Sequence, residues 1–274
     1  MKKTILALSL AALSVPALAQ GKKPEPEYTI SGNFGVFSDY RFRGISQTRL
    51  APALQGGFDF AHKSGLYLGN WNSSVSSNQF LDGGGIEMDF YGGYKTELFG
   101  IGLDLGAIYY HYPEAKIRTA QQNTSSGGPY DNGEVYVGIT YGPLTLKTSY
   151  AVTNYFGLNW DNDIALGAPN KARGNDSKGT IYYDLSFSKE IFEKTTFIAH
   201  YGRTAYANFS ELDYNDYKIG VNIDLSGWTL GLAYVTTDGM NATYKTNFYT
   251  NTGDYGKAKS LYKSTALLSI SKTF

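Results

Sequence analysis

The sequence contains no cysteine, so neither a disulfide framework nor a thiolate metal site is available to it. Proline is scarce, 8 residues in 274, and no Gly-X-Y period runs through the chain. Collagen and proline-rich disorder are therefore excluded. An excess of one charge is missing too. The 24 lysines and arginines balance 24 aspartates and glutamates, which leaves no electrostatic footprint for nucleic acid. Beyond residue 19 no run approaches the about 18 apolar residues of a membrane helix. What is abundant is glycine, with 32 residues, and tyrosine, with 24, at a mean hydropathy of −0.30. That mixture is unusual for a soluble enzyme.

Residues 1–19, MKKTILALSLAALSVPALA, have the three parts of a secretion signal. Lys2 and Lys3 lead, an apolar run spans Ile5 to Val15, and Ala17-Leu18-Ala19 forms a small-x-small cleavage pattern. The run is short and broken by Pro16, which argues against a transmembrane anchor. Cleavage is expected after Ala19. The exported chain then has 274 − 19 = 255 residues with 22 basic and 24 acidic groups, net −2. Residues 20–27 carry Pro24 and Pro26 and read as a short periplasmic linker.

From Tyr28 onward the hydropathy pattern has period two. In 28–42, Tyr28, Ile30, Phe34, Val36 and Phe42 alternate with Thr29, Ser31, Asn33, Asp39 and Arg41. In 85–95, Ile86, Met88 and Phe90 alternate with Glu87, Asp89 and Tyr91. In 134–141, Val135, Val137 and Ile139 alternate with Glu134, Tyr136 and Gly138. Such alternation is a strand with one apolar face. Twelve segments of this kind fall near 28–42, 52–62, 65–75, 85–95, 99–112, 134–141, 143–153, 179–188, 195–205, 214–225, 227–236 and 262–274. Most exceed the about 5–6 residues of a soluble strand and match the about 9–11 of a tilted membrane strand.

The connections alternate between short (HKSG, KTEL, YGP, EIFEKT, LSG) and long and polar, as at 113–133, 154–178 and 237–261. Outer-membrane barrels have this asymmetry, with short periplasmic turns and long extracellular loops. Aromatics gather at strand ends. Tyr28, Tyr94, Phe99, Tyr141, Phe187, Phe197, Trp228 and Phe274 are expected at the periplasmic girdle, and Tyr40, Trp71, Tyr150, Tyr201, Tyr217 and Tyr234 at the outer one. The last strand ends in Phe274, the kind of terminal aromatic that outer-membrane assembly machinery reads. Because lipid offers no water to open strand edges, the barrel must close. The fold class expected over 28–274 is therefore an all-β, transmembrane antiparallel β-barrel of about 12 strands. A soluble sandwich would need shorter strands and a uniformly aliphatic inner face.

The stretches SDYRFRGISQTRLAPALQGGFDF (38–60), GLYLGNWNSSV (65–75), GGIEMDFYGGY (84–94) and IYYHYP (108–113) closely resemble the TorF family of porins, and EVYVGITYG (134–142) extends the resemblance more weakly toward the C-terminus. The resemblance implies a bacterial outer-membrane barrel of porin type. It supplies no solute and no catalytic residues.

Function then rests on the inward face. The polar positions place Asp39, Arg41, Arg43, Asp59, Glu87, Asp89, Asp104, Glu134, Lys147, Asp184, Lys218 and Asp224 in the lumen, eight acidic and four basic groups. Gln55, Asn70, Asn72, Tyr91, Tyr110, Tyr136, Tyr182, His200 and Asn222 add hydrogen-bonding groups. A water-filled pore with excess carboxylates favours cations. The expected function is passive diffusion of small hydrophilic solutes, with no cofactor. A plugged structural or adhesive barrel is the alternative, since twelve strands fall between side-chain-filled and open barrels. Arg41 and Arg43 are expected at the outer end of the first strand, gripping an anion, bracing nearby carboxylates or folding a loop inward. A barrel hydrolase is the remaining alternative. His62 lies at a periplasmic turn, His111 has no evident serine, His200 points inward, and neither G-x-S-x-G nor HExxH occurs.

Overall fold

The computed structural model describes residues 26–77, 80, 83–116, 128–159, 176–240, 250–251 and 259–274. The expected secretion signal, its expected cleavage site and most of the expected linker lie outside these residues. No described helix is long and apolar enough to cross a membrane.

The elements in chain order are β1 (Tyr28–Phe37), β2 (Arg41–Phe42), β3 (Ile45–Ser46), β4 (Ala53–His62), β5 (Leu66–Ser74), β6 (Ile86–Leu98), β7 (Ile101–His111), β8 (Asn132–Tyr141), β9 (Leu144–Ala151), β10 (Ile181–Phe192), β11 (Thr195–Ala205), β12 (Tyr214–Leu225), β13 (Trp228–Asp238), β14 (Thr250–Asn251), β15 (Lys259–Ser260) and β16 (Thr265–Thr273). Twelve of them, β1, β4 to β13 and β16, form one closed antiparallel barrel in which β1 pairs with both β4 and β16. Each of the twelve expected segments overlaps one of these strands, and β6, β8, β10 and β13 run two to four residues past the expected ends. The pairs β2–β3 and β14–β15 are small separate hairpins.

Period-two sequence fixes the two faces. Ile30 (68 % exposed) and Phe58 (66 %) lie on the outer surface with Leu68, Leu105, Val137, Leu185, Ile219, Leu232 and Leu268. Their polar strand neighbours turn inward. The short turns are tight for a local reason. Phe99-Gly100 has φ of 54° and 80°, and Ser226-Gly227 has 57° and 88°, the left-handed pair that a two-residue hairpin turn requires. Closure is made by the chain end. Phe274 N–H donates to the Gly32 carbonyl at 2.9 Å, and the Phe274 carbonyl accepts from Gly32 N–H at 2.8 Å. A Cβ at Gly32 would stand 2.8 Å from the Phe274 ring, so glycine there lets the terminal aromatic lie on the barrel wall.

Three expectations are corrected. β1 stops at Phe37, and residues 38–52 leave the wall. Tyr40 is buried and belongs to that loop, not to an outer girdle. In β5 the facing is reversed at the outer end. Trp71 pairs with Asp89 and Gly57, whereas Asn70 pairs with Phe58 and Phe90. Cross-strand partners share a face, so Trp71 points into the lumen and Asn70 and Asn72 point out. On that outer surface Asn72 Nδ2 donates to Asn70 Oδ1 at 2.6 Å, and Asn70 Nδ2 to the Asp89 carbonyl at 3.0 Å. The two amides thereby meet part of their hydrogen-bonding need without water.

The buried apolar core sits at the long-loop end, not at mid-barrel. One cluster holds Ile45, Tyr155, Tyr206, Phe209, Leu212 and Tyr214, and another holds Tyr40, Val75, Phe80, Tyr110 and Tyr112. Phe156 packs against both. Loop residues folding over the barrel mouth thus make the core that the barrel wall alone does not.

Candidate functional site

The site is built from the loop 38–52 and the inner wall it meets. Asp39 shapes the loop. Its carboxylate accepts from Ser46 Oγ at 2.6 Å, Thr48 Oγ1 at 2.9 Å and Arg41 Nε at 2.6 Å. Arg41 also donates through Nη1 to the carbonyls of Gly44, Leu261 and Lys263 at 3.0, 2.9 and 3.0 Å. This ties the loop to the start of the last strand. The hairpin β2–β3 turns at Arg43 and Gly44, with φ of 46° and 79°. A side chain at Gly44 would collide with Asp216, whose Cβ would be 2.8 Å from the new atom. The loop tip therefore lies against β12, three strands around the barrel from β1.

Arg43 reaches further. Its Nη2 donates to Glu134 Oε2 at 2.7 Å, its Nη1 to the Tyr155 hydroxyl at 2.7 Å, and its guanidinium lies 4.0 Å over the Tyr182 ring. Glu134 also accepts from Asn132 Nδ2 at 3.1 Å. Both side chains of this ion pair are almost wholly buried. On the other flank the Tyr40 hydroxyl donates to Glu87 Oε1 at 3.0 Å, and its ring meets Trp71 edge-on at 5.4 Å. Burial, reinforced by the charges of Glu87 and Asp89, pushes the Tyr40 hydroxyl well above its ordinary pKa. Burial likewise pushes Tyr155 up to about 12. Both stay protonated, Tyr40 as the donor to Glu87 and Tyr155 as the acceptor from Arg43. The loop thus touches β6, β8, β10, β12 and the approach to β16.

Below the loop the inner wall carries partly exposed polar clusters. Tyr91 donates to Asp59 at 2.5 Å. Tyr67 donates to Asp104 at 2.6 Å and meets the Tyr136 hydroxyl at 2.6 Å. Lys147 lies 3.6 Å over the Tyr136 ring. His200 sits between two carboxylates, with Nδ1 3.2 Å from Asp184 and Nε2 3.0 Å from Asp216. Lys218 is on the inner face of β12 and exposed. Asp224 holds the short turn after β12 by accepting from Gly227 N–H at 2.8 Å.

Of the twelve lumen residues read from the sequence, Asp39, Arg41 and Arg43 therefore lie on an inward-folded loop, which corrects their expected place on the first strand. Glu87, Asp89 and Glu134 are buried beneath or against that loop. Asp59, Asp104, Lys147, Asp184, Lys218 and Asp224 are on the wall. Arg43 pairs with Glu134 rather than with Asp39, Glu87 or Asp89. Sequence reasoning missed Asp216. It has the same strand parity as Lys218, two residues on, so extending the alternation toward the start of the strand would have found it.

The histidines do not assemble a nucleophile. Ser186 Oγ approaches His200 Nδ1 at 3.1 Å but donates to Asp184 at 2.6 Å. Each ring nitrogen of His200 faces a carboxylate, so neither is left as a general base. His111 is paired with Asp131 at 2.9 Å, and His62 with Ser64 at 2.8 Å at the short turn between β4 and β5.

Residues 21–274 match a family described as "Bacterial protein of unknown function (Gcw_chp)". No curated protein matches the chain. Among solved structures it is similar to a KdgM porin, with a TM-score of 0.48 and 6 % identity over 89 % of this chain and 99 % of that one. It is similar to an anion-selective porin from Comamonas acidovorans, with a TM-score of 0.37 and 11 % identity over 90 % and 99 %. It is also similar to LpxR from Salmonella typhimurium, with a TM-score of 0.39 and 9 % identity over 89 % and 99 %. At these scores the likenesses say nothing about solute, selectivity or reaction.

Proposed function

The chain belongs to the Gcw_chp family of bacterial proteins, and we propose that it is an outer-membrane porin, a narrow passive diffusion channel for small hydrophilic solutes with a weak preference for cations. The observation that carries this reading is the pairing of two surfaces. An apolar belt surrounds the closed barrel, while the inner wall keeps Asp59, Tyr67, Tyr91, Lys147, Asp184 and His200 partly exposed around an interior that, below the loop, no apolar cluster of the described residues fills. Spending such polar groups on the inside of a closed sheet makes physical sense where water and solutes occupy it. The resemblance of YRFRGIS and QGGFDF to TorF-family porins supports the same reading, and those residues form the inward loop and the strand that follows it. In this proposal residues 1–19 direct export and are removed after Ala19, and the Phe274 strand is read by the outer-membrane assembly machinery. The barrel sits in outer-membrane lipid, uses no cofactor and catalyses no reaction. Its solutes meet the loop 38–52 as the constriction and the wall carboxylates as the charge filter.

A second reading is favoured by the burial of that loop. With Ile45, Ser46, Gln47 and Thr48 buried, the loop would act as a plug, and the barrel would be structural or adhesive. Planar-bilayer recording of the refolded mature protein under a salt gradient separates the two. Discrete steps with a cation-selective reversal potential that moves toward zero in Asp59→Asn/Asp104→Asn support the channel. A folded barrel that never conducts refutes it. Wall groups are chosen because Glu87 and Asp89 are too deeply buried for charge substitutions to read selectivity alone.

A further inference from the structure

We propose that Glu87 and Asp89 form a binding site for a hard divalent cation of the calcium class, enclosed beneath the loop 38–52 at the outer end of the lumen. The two residues are two apart on β6 and so share its inner face. Glu87 is 0 % exposed and Asp89 5 %. Glu87 Oε2 and Asp89 Oδ1 are buried without a hydrogen-bond partner. The groups that face them are hydroxyls and rings, Tyr112 beside Glu87 among them, and the further charge near Asp89 is a third carboxylate, Glu134. Tyr40 from the loop donates to the other Glu87 oxygen. Ser73 and Trp71 stand opposite on β5, and Tyr110 stands opposite Asp89 on β7.

The nearby cations are already committed. Arg43 is held by Glu134 and Tyr155, Arg41 by Asp39 and three carbonyls, and Lys147 lies over Tyr136. Two carboxylates in an aromatic enclosure therefore lack a counter-charge. Buried carboxylates without one are strongly disfavoured. A divalent ion balances the pair, and carboxylate oxygens are the ligands that hard cations take. Two carboxylates fill only part of its shell of six to eight oxygens, so the ion keeps water. The proposal deepens the cation preference proposed above. It rests on that reading for the ion's route through the barrel, not for its binding.

Terbium(III) is the probe, because Tyr40, Trp71 and Tyr110 surround the site and would sensitise its emission. The expected result for the refolded barrel is saturable emission that calcium displaces. Emission should fall at least tenfold in Glu87→Gln/Asp89→Asn that still migrates as a folded barrel. Trp71→Phe should dim the emission while leaving the calcium competition unchanged, which keeps the test open should the double variant fail to fold. No saturable emission would overturn the site and leave two protons as the neutralising charge. Emission retained in the folded double variant would overturn it as well. Luminescence reads binding in a barrel that never conducts, and conductance reads a channel that binds no ion, so the two failures are distinguishable.

Discussion

Replacing Arg43 by alanine should unseat the loop 38–52. Arg43 is the side chain by which the loop holds the far wall, at Glu134, Tyr155 and Tyr182. The pair with Glu134 is buried on both sides, with side-chain exposures of 6 % and 1 %, so the substitution strands a carboxylate that keeps only the 3.1 Å contact from Asn132. Breaking a buried pair in this way costs about 3–5 kcal/mol. The cost falls on the seated loop, since an outward loop returns water to Glu134. At about 1.4 kcal/mol per tenfold, the ratio of seated to unseated loop should drop by roughly two to nearly four powers of ten. Arg41, Asp39 and Tyr40 still hold the loop, so the change raises the unseated fraction rather than abolishing the folded barrel. Two assays read it. Arg43→Ala should open more often in single-channel records, and its loop should be cut faster by an added protease. Adding Glu134→Gln removes the stranded charge and should restore most of the seated population, the non-additivity expected of a directly coupled pair. Arg43→Ala indistinguishable from the parent in both assays, or a double variant no different from Arg43→Ala, would refute the latch.

Arginine at Val137 or Val221, both on the outer face, should destabilise the folded barrel by about 2–4 kcal/mol if the residue lies near the lipid midplane. Urea titration of the lipid-embedded barrel measures this, and an unchanged midpoint would contradict the assigned facing. In a Trp160→Phe background, brominated lipid chains should quench Trp228 strongly and Trp71 little, because Trp71 packs inside against Tyr40. Equal quenching would return Trp71 to the outer surface.

The barrel was legible because strand facing in a membrane is a local property. Wherever one face was uniformly apolar, as in 134–141 or 217–225, the parity read from sequence is the parity found. The 65–75 segment misled because both parities carry mixed residues. Leu66 and Leu68 favour one facing, Trp71 the other, and only pairing with Phe58, Phe90 and Asp89 decides between them. Asp216 was overlooked for a simpler reason, at the edge of a pattern whose clearest part begins one residue later. Arg41 and Arg43 were legible as functional side chains but not as loop residues, since the alternation of β1 runs past Phe37 in sequence while the chain itself turns inward.

Composition and period-two patterning alone determined twelve strands, an apolar exterior, short turns on one side and long loops on the other. Each follows from contacts with solvent, lipid or the next strand, which a residue makes wherever the fold puts it. Tertiary structure alone decided that the first loop crosses the lumen, that Arg43 finds Glu134 91 residues away, and that Glu87 and Asp89 end beneath it without a cation of their own. Those contacts join opposite walls of a closed sheet, and no periodicity along the chain encodes which residues closure brings face to face.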